Sequence, residues 1–186
     1  MSVTHMTSDV KLPANGTWSI DPSHSSVNFK VKHMGPAETR GRFTRFEGTV
    51  QIGADPADTV VAVEIDAASV ETHDPKRDEH LRSSHFLDVE RHPSLSFRST
   101  RVSGHDDEWN LEGELTVAGV TRPVVLDVTY EGVALEPWGG ARAGFTATAE
   151  LDREDWGLTW NAILDAGGFL VGRTVNIELD VELIKS

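Results

Sequence analysis

The sequence has no cysteine in its 186 residues. Disulfide bonds, thiolate catalysis, zinc fingers and iron–sulfur clusters are therefore excluded, because each of them depends on cysteine sulfur. Basic residues are also few, with 17 Lys and Arg against 30 Asp and Glu, for a formal net charge of −13. This balance argues against a nucleic-acid-binding protein and against docking on an anionic membrane surface, since both need a basic face. A lipid cargo is compatible with it.

Long hydrophobic runs are absent as well. No stretch approaches the roughly 18 apolar residues of a membrane-spanning helix, and no apolar run follows a basic start, as a secretory signal requires. We therefore expect a cytoplasmic protein without stable membrane insertion. The length favours a single domain. Residues 1–16 are predicted to form a flexible tail, and residues 17–186 to form the folded domain.

Apolar and polar residues alternate through most of the chain from Trp18 onward. In the clearest run, Val175 to Leu183, the odd positions are Val, Ile or Leu and the even positions are Asn, Glu or Asp. Such alternation is typical of antiparallel strands with one apolar face and one face in water. About eight such strands can be counted, including a short one at Trp18–Ile20. The sequence therefore predicts an all-β fold.

Strands with one apolar face can close into a barrel or split into a sandwich. Several strands carry four or five inward apolar positions, which is long for a small sandwich. Eight strands is also the number at which a barrel either fills itself with side chains or holds one small ligand. Gly48, Gly113, Ala147 and Ala149 lie on the apolar parity and are expected to leave room inside. The alternative, an interior filled by helix and loop side chains, stays open at this point.

Only one segment departs clearly from the alternation. Asp74 suits a helix N-cap, Pro75 suits the first helical position, and Asp78 and Glu79 favour the first turns. These residues predict one short helix near residues 74–84.

Five segments carry motifs that are specific when they follow one another in this order. They are residues 18–33 (WSIDPSHSSVNFKVKH), 41–48 (GRFTRFEG), 68–100, 113–124 (GELTVAGVTRPV) and 152–158 (DREDWGL). Together they resemble the YceI-like family, whose described members are lipocalin-like barrels that bind polyisoprenoids. The resemblance covers about residues 17–185.

This resemblance implies an extended eight-stranded antiparallel lipocalin-like barrel, flanked by the short helix near residues 74–84. It implies an apolar lumen for a long isoprenoid chain, as in a quinone, a quinone precursor or a polyprenyl phosphate. A similar long-chain amphiphilic lipid is also compatible with such a lumen. It implies no catalytic activity and no cofactor other than the bound lipid. Secreted members of the family carry a signal peptide, and since this sequence shows none, a cytoplasmic carrier or reservoir is expected.

The residues predicted to line the lumen share the inward parity of the strands. For each single residue, plain core packing is the alternative. Together, these residues would stabilise the buried tail of a lipid by ~25 cal/mol per Å² of apolar surface removed from water. They are Phe29, Val31, Phe43, Phe46, Val63, Ile65, Phe97, Trp109, Leu111, Leu115, Leu126, Val128, Phe145, Ala147, Ala149, Val175 and Ile177.

The segment 156–172 is apolar, rich in glycine and not cleanly alternating. Proteins rarely leave such an apolar patch exposed to water. Three interpretations are open for this segment: a lid over the barrel mouth, the surface of a homodimer, or a loop folded into the core. Its candidate residues are Trp156, Leu158, Trp160, Ile163 and Phe169.

Histidines and aspartates cluster between residues 73 and 92. They raise the alternative of an enzyme or a metal protein, but their spacing matches no metal-binding or catalytic motif, so no metal is predicted. Arg77, Arg82 and Arg153 are candidate contacts for a lipid head group, because a guanidinium suits bidentate contacts with oxygen. The alternative is that Arg77 and Arg82 fix the helix across the barrel end and that Arg153 fixes the corner before Trp156. A barrel that acts mainly through protein association, with segment 156–172 as its interface, is the third hypothesis.

Overall fold

The computed structural model describes residues 12–162 and 170–186, and most of them lie in β-strands. One α-helix, α1 (Pro75–Arg82), lies in this part of the chain, where no helix is long and apolar enough to cross a membrane. The strands are β1 (Gly16–Ile20), β2 (Ser26–His33), β3 (Ala37–Phe43), β4 (Phe46–Ile52), β5 (Val60–Asp66), β6 (Val70–Glu71), β7 (Ser94–His105), β8 (Glu108–Val117), β9 (Val120–Leu135), β10 (Ala141–Asp152) and β11 (Val171–Lys185). Short 3₁₀ turns cover Pro56–Asp58, Ala67–Ser69 and Arg153–Trp156.

The strands form a closed antiparallel barrel. The ring runs β1–β4–β5–β7–β8–β9–β10–β11, and β11 returns to pair with β1. The strands β2, β3 and β6 continue the wall beyond β1, β4 and β5. In this part of the wall β2 pairs with β11, β3 pairs with β2, and β6 pairs with β3. Three strands of the barrel are therefore interrupted near their middle. They consist of β1 with β2, of β3 with β4, and of β5 with β6, so the barrel has eight strands in all. The predicted eight-stranded antiparallel barrel is confirmed, and the sandwich is excluded.

The alternation of residue types explains most of the ladders, but not all of them. Between β10 and β11, Phe145 lies opposite Val181 and Ala147 lies opposite Leu179, so apolar residues share the inner face as predicted. The sequence of β3, AETRGRF, does not predict a strand, since its only large apolar residue is Phe43. This strand forms because its seven residues pair along β2.

A polar network fixes the break between β1 and β2. The buried Asp21 accepts hydrogen bonds from the Ser23 hydroxyl at 2.6 Å and from Nη1 of Arg142 at 2.8 Å. Nη1 of Arg142 also donates to Glu182 of β11 at 3.0 Å. The Ser23 hydroxyl, then Arg142 and then His24 hold the pKa of Asp21 well below its usual range.

The variant Asp21→Asn is expected to lower the free energy of unfolding most at neutral pH. Because the folded-state pKa of Asp21 lies below the unfolded value of about 3.9, its ionisation stabilises the fold above that pH. This contribution is lost as the pH falls through the folded-state pKa. Urea denaturation at pH 7 and near pH 2.5 should therefore show a gap between wild type and variant that narrows in acid. A gap of constant size would contradict the ionic role of Asp21.

The helix α1 begins as the sequence predicts, and the predicted short helix near residues 74–84 is confirmed. Asp74 is the N-cap and accepts from the backbone N–H groups of Lys76 at 3.1 Å and Arg77 at 3.2 Å. Asp78 does more than favour the first turns, since its buried carboxylate accepts from the backbone N–H of Thr72 at 2.8 Å. This contact fixes the helix to the chain that leaves β6. We call the barrel end that carries α1 the upper end.

The lower end is closed by the core around Trp18, which is 1% exposed. Its indole N–H donates to the carbonyl of Ala14 at 2.9 Å, and Leu12, Pro13 and Asn15 lie against the interior of the barrel. The prediction of a flexible tail is therefore wrong for residues 12–16, whose backbone is tied to the barrel by the buried Trp18. Residues 1–11 lie outside the described residues.

Candidate functional site

The barrel encloses two adjoining cavities. The upper cavity, of about 540 Å³, lies beneath α1 and the chain that follows β10. The lower cavity, of about 600 Å³, extends toward β1 and the loop between β4 and β5. Five side chains line both cavities and so lie between them: Phe43, Leu95, Leu115, Leu151 and Ile177. The interior is therefore a lumen in two parts, not a filled core.

The lower cavity is apolar along nearly its whole wall. Among the residues that the structure describes, those that line it carry no charged side chain. Tyr130 contributes a phenol there, and burial raises the pKa of that phenol, so it is neutral at physiological pH. Nothing in this wall suits a charged group of a ligand.

The upper cavity combines an apolar wall with a polar margin. Lys32, Lys76 and Arg77 lie at this margin, and Asp74 carries the one carboxylate among the described residues of the lining. Asp74 is already engaged as the N-cap of α1. In a chain of net charge −13, the described lining at this end of the lumen therefore carries more positive than negative charge.

All of the residues predicted to face the lumen do line it. Phe29, Val31 and Val175 line the upper cavity, Phe43, Leu115 and Ile177 line both, and Phe46, Val63, Ile65, Phe97, Trp109, Leu111, Leu126, Val128, Phe145, Ala147 and Ala149 line the lower one. That they contact a ligand stays a prediction. The sequence reasoning missed Leu95 and Leu151, although both share the parity of predicted neighbours. It also missed Phe86, for which no periodic signal exists.

The small residues on the inner face behave in two ways. Ala147 and Ala149 border the lower cavity, as expected. The expectation is wrong for Gly48 and Gly113, because large neighbours lie over them. A Cβ atom would lie 2.6 Å from Cδ1 of Ile20 at Gly48 and 2.4 Å from Cζ of Phe97 at Gly113. The room left by these glycines is thus already filled.

Arg153 closes the upper end as a structural residue. It is 5% exposed, and its guanidinium donates to the carbonyl oxygens of Leu158 at 2.6 Å, Trp160 at 3.0 Å and Gly172 at 2.8 Å. Burial lowers the pKa of this guanidinium. A weaker contact of 3.4 Å reaches the carbonyl of Val171. Backbone carbonyls thus occupy most of its donors, which fits the alternative that Arg153 fixes the corner. Arg153 also lines the upper cavity, so a head-group contact there stays a prediction.

The other two candidate arginines differ from one another. Arg82 donates to the carbonyl oxygens of Ala68 at 3.0 Å and Val70 at 3.4 Å and does not line either cavity. Its predicted head-group contact is therefore wrong, and it fixes α1 instead. Arg77 lines the upper cavity and uses Nε and Nη2 to bind Thr72. Its Nη1 has no hydrogen-bond partner among residues 12–162 and 170–186, so a head-group contact there stays a prediction.

The described part of segment 156–172 covers the upper cavity from above. Trp156 is buried and donates its indole N–H to the carbonyl of Leu115 at 2.9 Å, so the interface hypothesis does not fit this residue. Leu158 and Trp160 line the cavity, and the Trp160 ring lies 4.4 Å from the ring of His80. Ile163 and Phe169 lie outside the described residues. A homodimer stays a prediction.

The histidines and aspartates between residues 73 and 92 do not converge. His73 lies 3.4 Å from Glu71, Asp78 binds Thr72, and His80 contacts His85 at 2.9 Å. Within the described ranges, no group of three or more His, Asp or Glu residues is placed to hold a metal ion. The geometry therefore gives no support to the hypothesis of a site in this cluster.

A closed eight-stranded antiparallel barrel around an apolar lumen is the architecture of the lipocalin-like binding proteins. The family model of the YceI-like domain matches residues 18–183, and the chain belongs to this family. The resemblance seen in the five sequence segments is thereby confirmed.

Individual relatives agree with this assignment. A UPF0312 protein of Vibrio cholerae is 35% identical over 164 residues, which cover 86% of this chain and 82% of that protein. The crystal structure of Burkholderia cenocepacia BcnA has a TM-score of 0.75 at 24% identity and covers 88% of this chain and 98% of BcnA. A polyisoprenoid binding domain from Saccharophagus degradans has a TM-score of 0.70 at 13% identity and covers 91% and 98%. Both structures share the fold of this protein.

Proposed function

We propose that this protein binds one long-chain isoprenoid lipid in its lumen and carries or stores it without converting it. The observation that supports this function is the pair of adjoining apolar cavities, of about 540 and 600 Å³. An isoprenoid chain has no polar atoms to satisfy, so it suits an uncharged wall. Its burial contributes roughly 25 cal/mol per Å² of apolar surface removed from water. The polyisoprenoid binding domain that shares this fold supports the same ligand class.

The distribution of charge supports one orientation of the lipid. The tail lies in the lower cavity, whose lining has no charged side chain among the described residues. The head group lies at the upper end beside Lys32, Lys76 and Arg77. Guanidinium and ammonium groups bind carbonyl, phosphate and diphosphate oxygens, so a prenyl quinone, a quinone precursor or a polyprenyl phosphate suits this end.

The direct test is organic extraction and mass spectrometry of protein purified under native conditions. We expect a stoichiometric lipid with masses spaced by isoprene units. If the protein is empty, purified prenyl quinones and polyprenols should bind when added. An empty protein that takes up neither class would contradict the proposed function.

The tryptophans report the orientation. Trp156 and Trp160 line the upper cavity and Trp109 lines the lower one. A bound prenyl quinone, whose ring quenches nearby indoles, is expected to quench the fluorescence of Trp109→Phe strongly. It should quench the double variant Trp156→Phe/Trp160→Phe, which keeps Trp109, much less. The opposite ranking would place the head group at the lower end.

A further inference from the structure

Gly41 lies directly opposite Phe29 in the ladder between β2 and β3. A Cβ atom at Gly41 would lie 2.3 Å from Cζ of Phe29, 2.7 Å from Cε2 and 2.9 Å from Cε1. The three atoms nearest to that position therefore all belong to one ring. The far end of the Phe29 ring therefore lies over Gly41, in space that the side chain of any other residue at position 41 would occupy.

This ring lies beside the route between the two cavities. Phe29 lines the upper cavity, and its ring centroid is 5.7 Å from that of Phe43. Phe43 is one of the five residues that line both cavities. Gly41 lies against the ring from the wall and Phe29 borders the cavity, so a side chain at position 41 would push the ring toward the lumen. The recess at Gly41 thus decides whether the ring lies along the wall or across the lumen.

We propose that Gly41 sets the length of isoprenoid that the barrel accepts, because its recess holds the Phe29 ring out of the route to the lower cavity. This inference rests on the proposed function and assigns a specificity-determining position within it. A short chain is accommodated in the upper cavity alone. A long chain has to pass Phe43 into the lower cavity, and a ring displaced from the recess blocks that passage.

Gly41 is also the glycine best suited to a test. At Gly113, a Cβ atom would lie 2.5 Å from the carbonyl oxygen of Arg98 as well as against the Phe97 ring, so a substitution there disturbs the backbone. Gly144 offers a matched control in β10, since a Cβ atom there meets only Cβ of Glu131, at an ordinary 3.6 Å. The control and the test are both Gly→Ala substitutions within strands.

The experiment measures dissociation constants for prenyl lipids with one head group and increasing chain length. For Gly41→Ala we expect short-chain affinity within about twofold of wild type and long-chain affinity at least about tenfold weaker, because the far end of the chain loses its burial. The double variant Gly41→Ala/Phe29→Ala should recover long-chain binding, since it removes the ring that blocks the passage. Gly144→Ala should bind all lengths as wild type does. Phe29→Trp, which overfills the recess with Gly41 intact, should repeat the loss.

Three results would overturn the inference. One is an unchanged length preference in folded Gly41→Ala and Phe29→Trp variants. Another is an equal loss at all chain lengths in both variants, which indicates general damage. The third is a double variant that folds but does not recover long-chain binding. The proposed function fails separately, if the wild-type protein binds no prenyl lipid of any length.

Discussion

Replacing Ala147 by phenylalanine is expected to shorten the longest retained isoprenoid by about one unit. Ala147 borders the lower cavity and lies opposite Val128 in β9 and Leu179 in β11, so a larger side chain there projects into the space for the tail. The phenyl ring adds six carbons, and an isoprenoid unit has five. At about 0.8 kcal/mol per buried carbon group, an excluded unit of five carbons loses about 4 kcal/mol, or roughly a thousandfold in Kd.

Mass spectrometry of lipids retained by the wild type and by the Ala147→Phe variant checks this result. Thr148→Phe is the matched control, because the neighbouring residue is exposed and points to the outer face. The control should retain the same chain lengths as wild type. A folded Ala147→Phe protein with an unchanged length distribution would show that Ala147 does not face the cargo.

The second large effect concerns the upper end. Arg153→Met is expected to lower the free energy of unfolding by about 3–5 kcal/mol, since a buried cation is lost and the carbonyl oxygens it satisfied are left without a donor. Those oxygens belong to two separate stretches, Leu158 and Trp160 on one side and Gly172 on the other. Arg153→Lys should recover only part of the loss, because an ammonium group cannot reach them with the geometry of a planar fork.

Chemical denaturation followed by far-UV circular dichroism measures this difference. Arg173→Met is the control at the same end of the barrel, where Arg173 is exposed and pairs with Asp152 at 2.7 Å and Glu154 at 3.0 Å. Exposed ion pairs contribute little, so the control should change stability far less. Similar losses in both variants would contradict the bridging role of Arg153.

Sequence reasoning predicts the fold well wherever one residue type repeats on one face. In β10 and β11 the alternation alone assigns the inner residues, because burial of one face leaves no other register. The same reasoning fails for β3. Of its inner-face residues Gly41 and Phe43, only Phe43 is large and apolar, so the sequence shows no alternation there, and the strand depends on its partner β2.

The site is less accessible to sequence reasoning than the fold. Alternation predicts which residues face the lumen, but it contains no information about the orientation of neighbouring side chains. For this reason Gly113 was expected to leave space that the Phe97 ring in fact fills. For Arg153 two interpretations were open, a head-group contact or a role in fixing the corner before Trp156, and no sequence pattern decides between them. Its partners are backbone carbonyls of the irregular chain at Leu158 and Trp160 and of Gly172 at the start of β11, and no periodic pattern encodes their positions. The division of the lumen by Phe43 and its neighbours also depends on packing alone.

The pairing of β11 has a consequence for biosynthesis. This strand pairs with both β1 and β2, so each of those early strands has one edge without a partner until β11 is made. Such contacts between distant parts of the sequence give a high contact order, and all-β domains of this kind fold in milliseconds to seconds. During translation the nascent chain presents an open apolar sheet edge, which is prone to aggregation. The lumen comes into existence only once synthesis has passed Lys185, and no lipid can be enclosed on the ribosome before then.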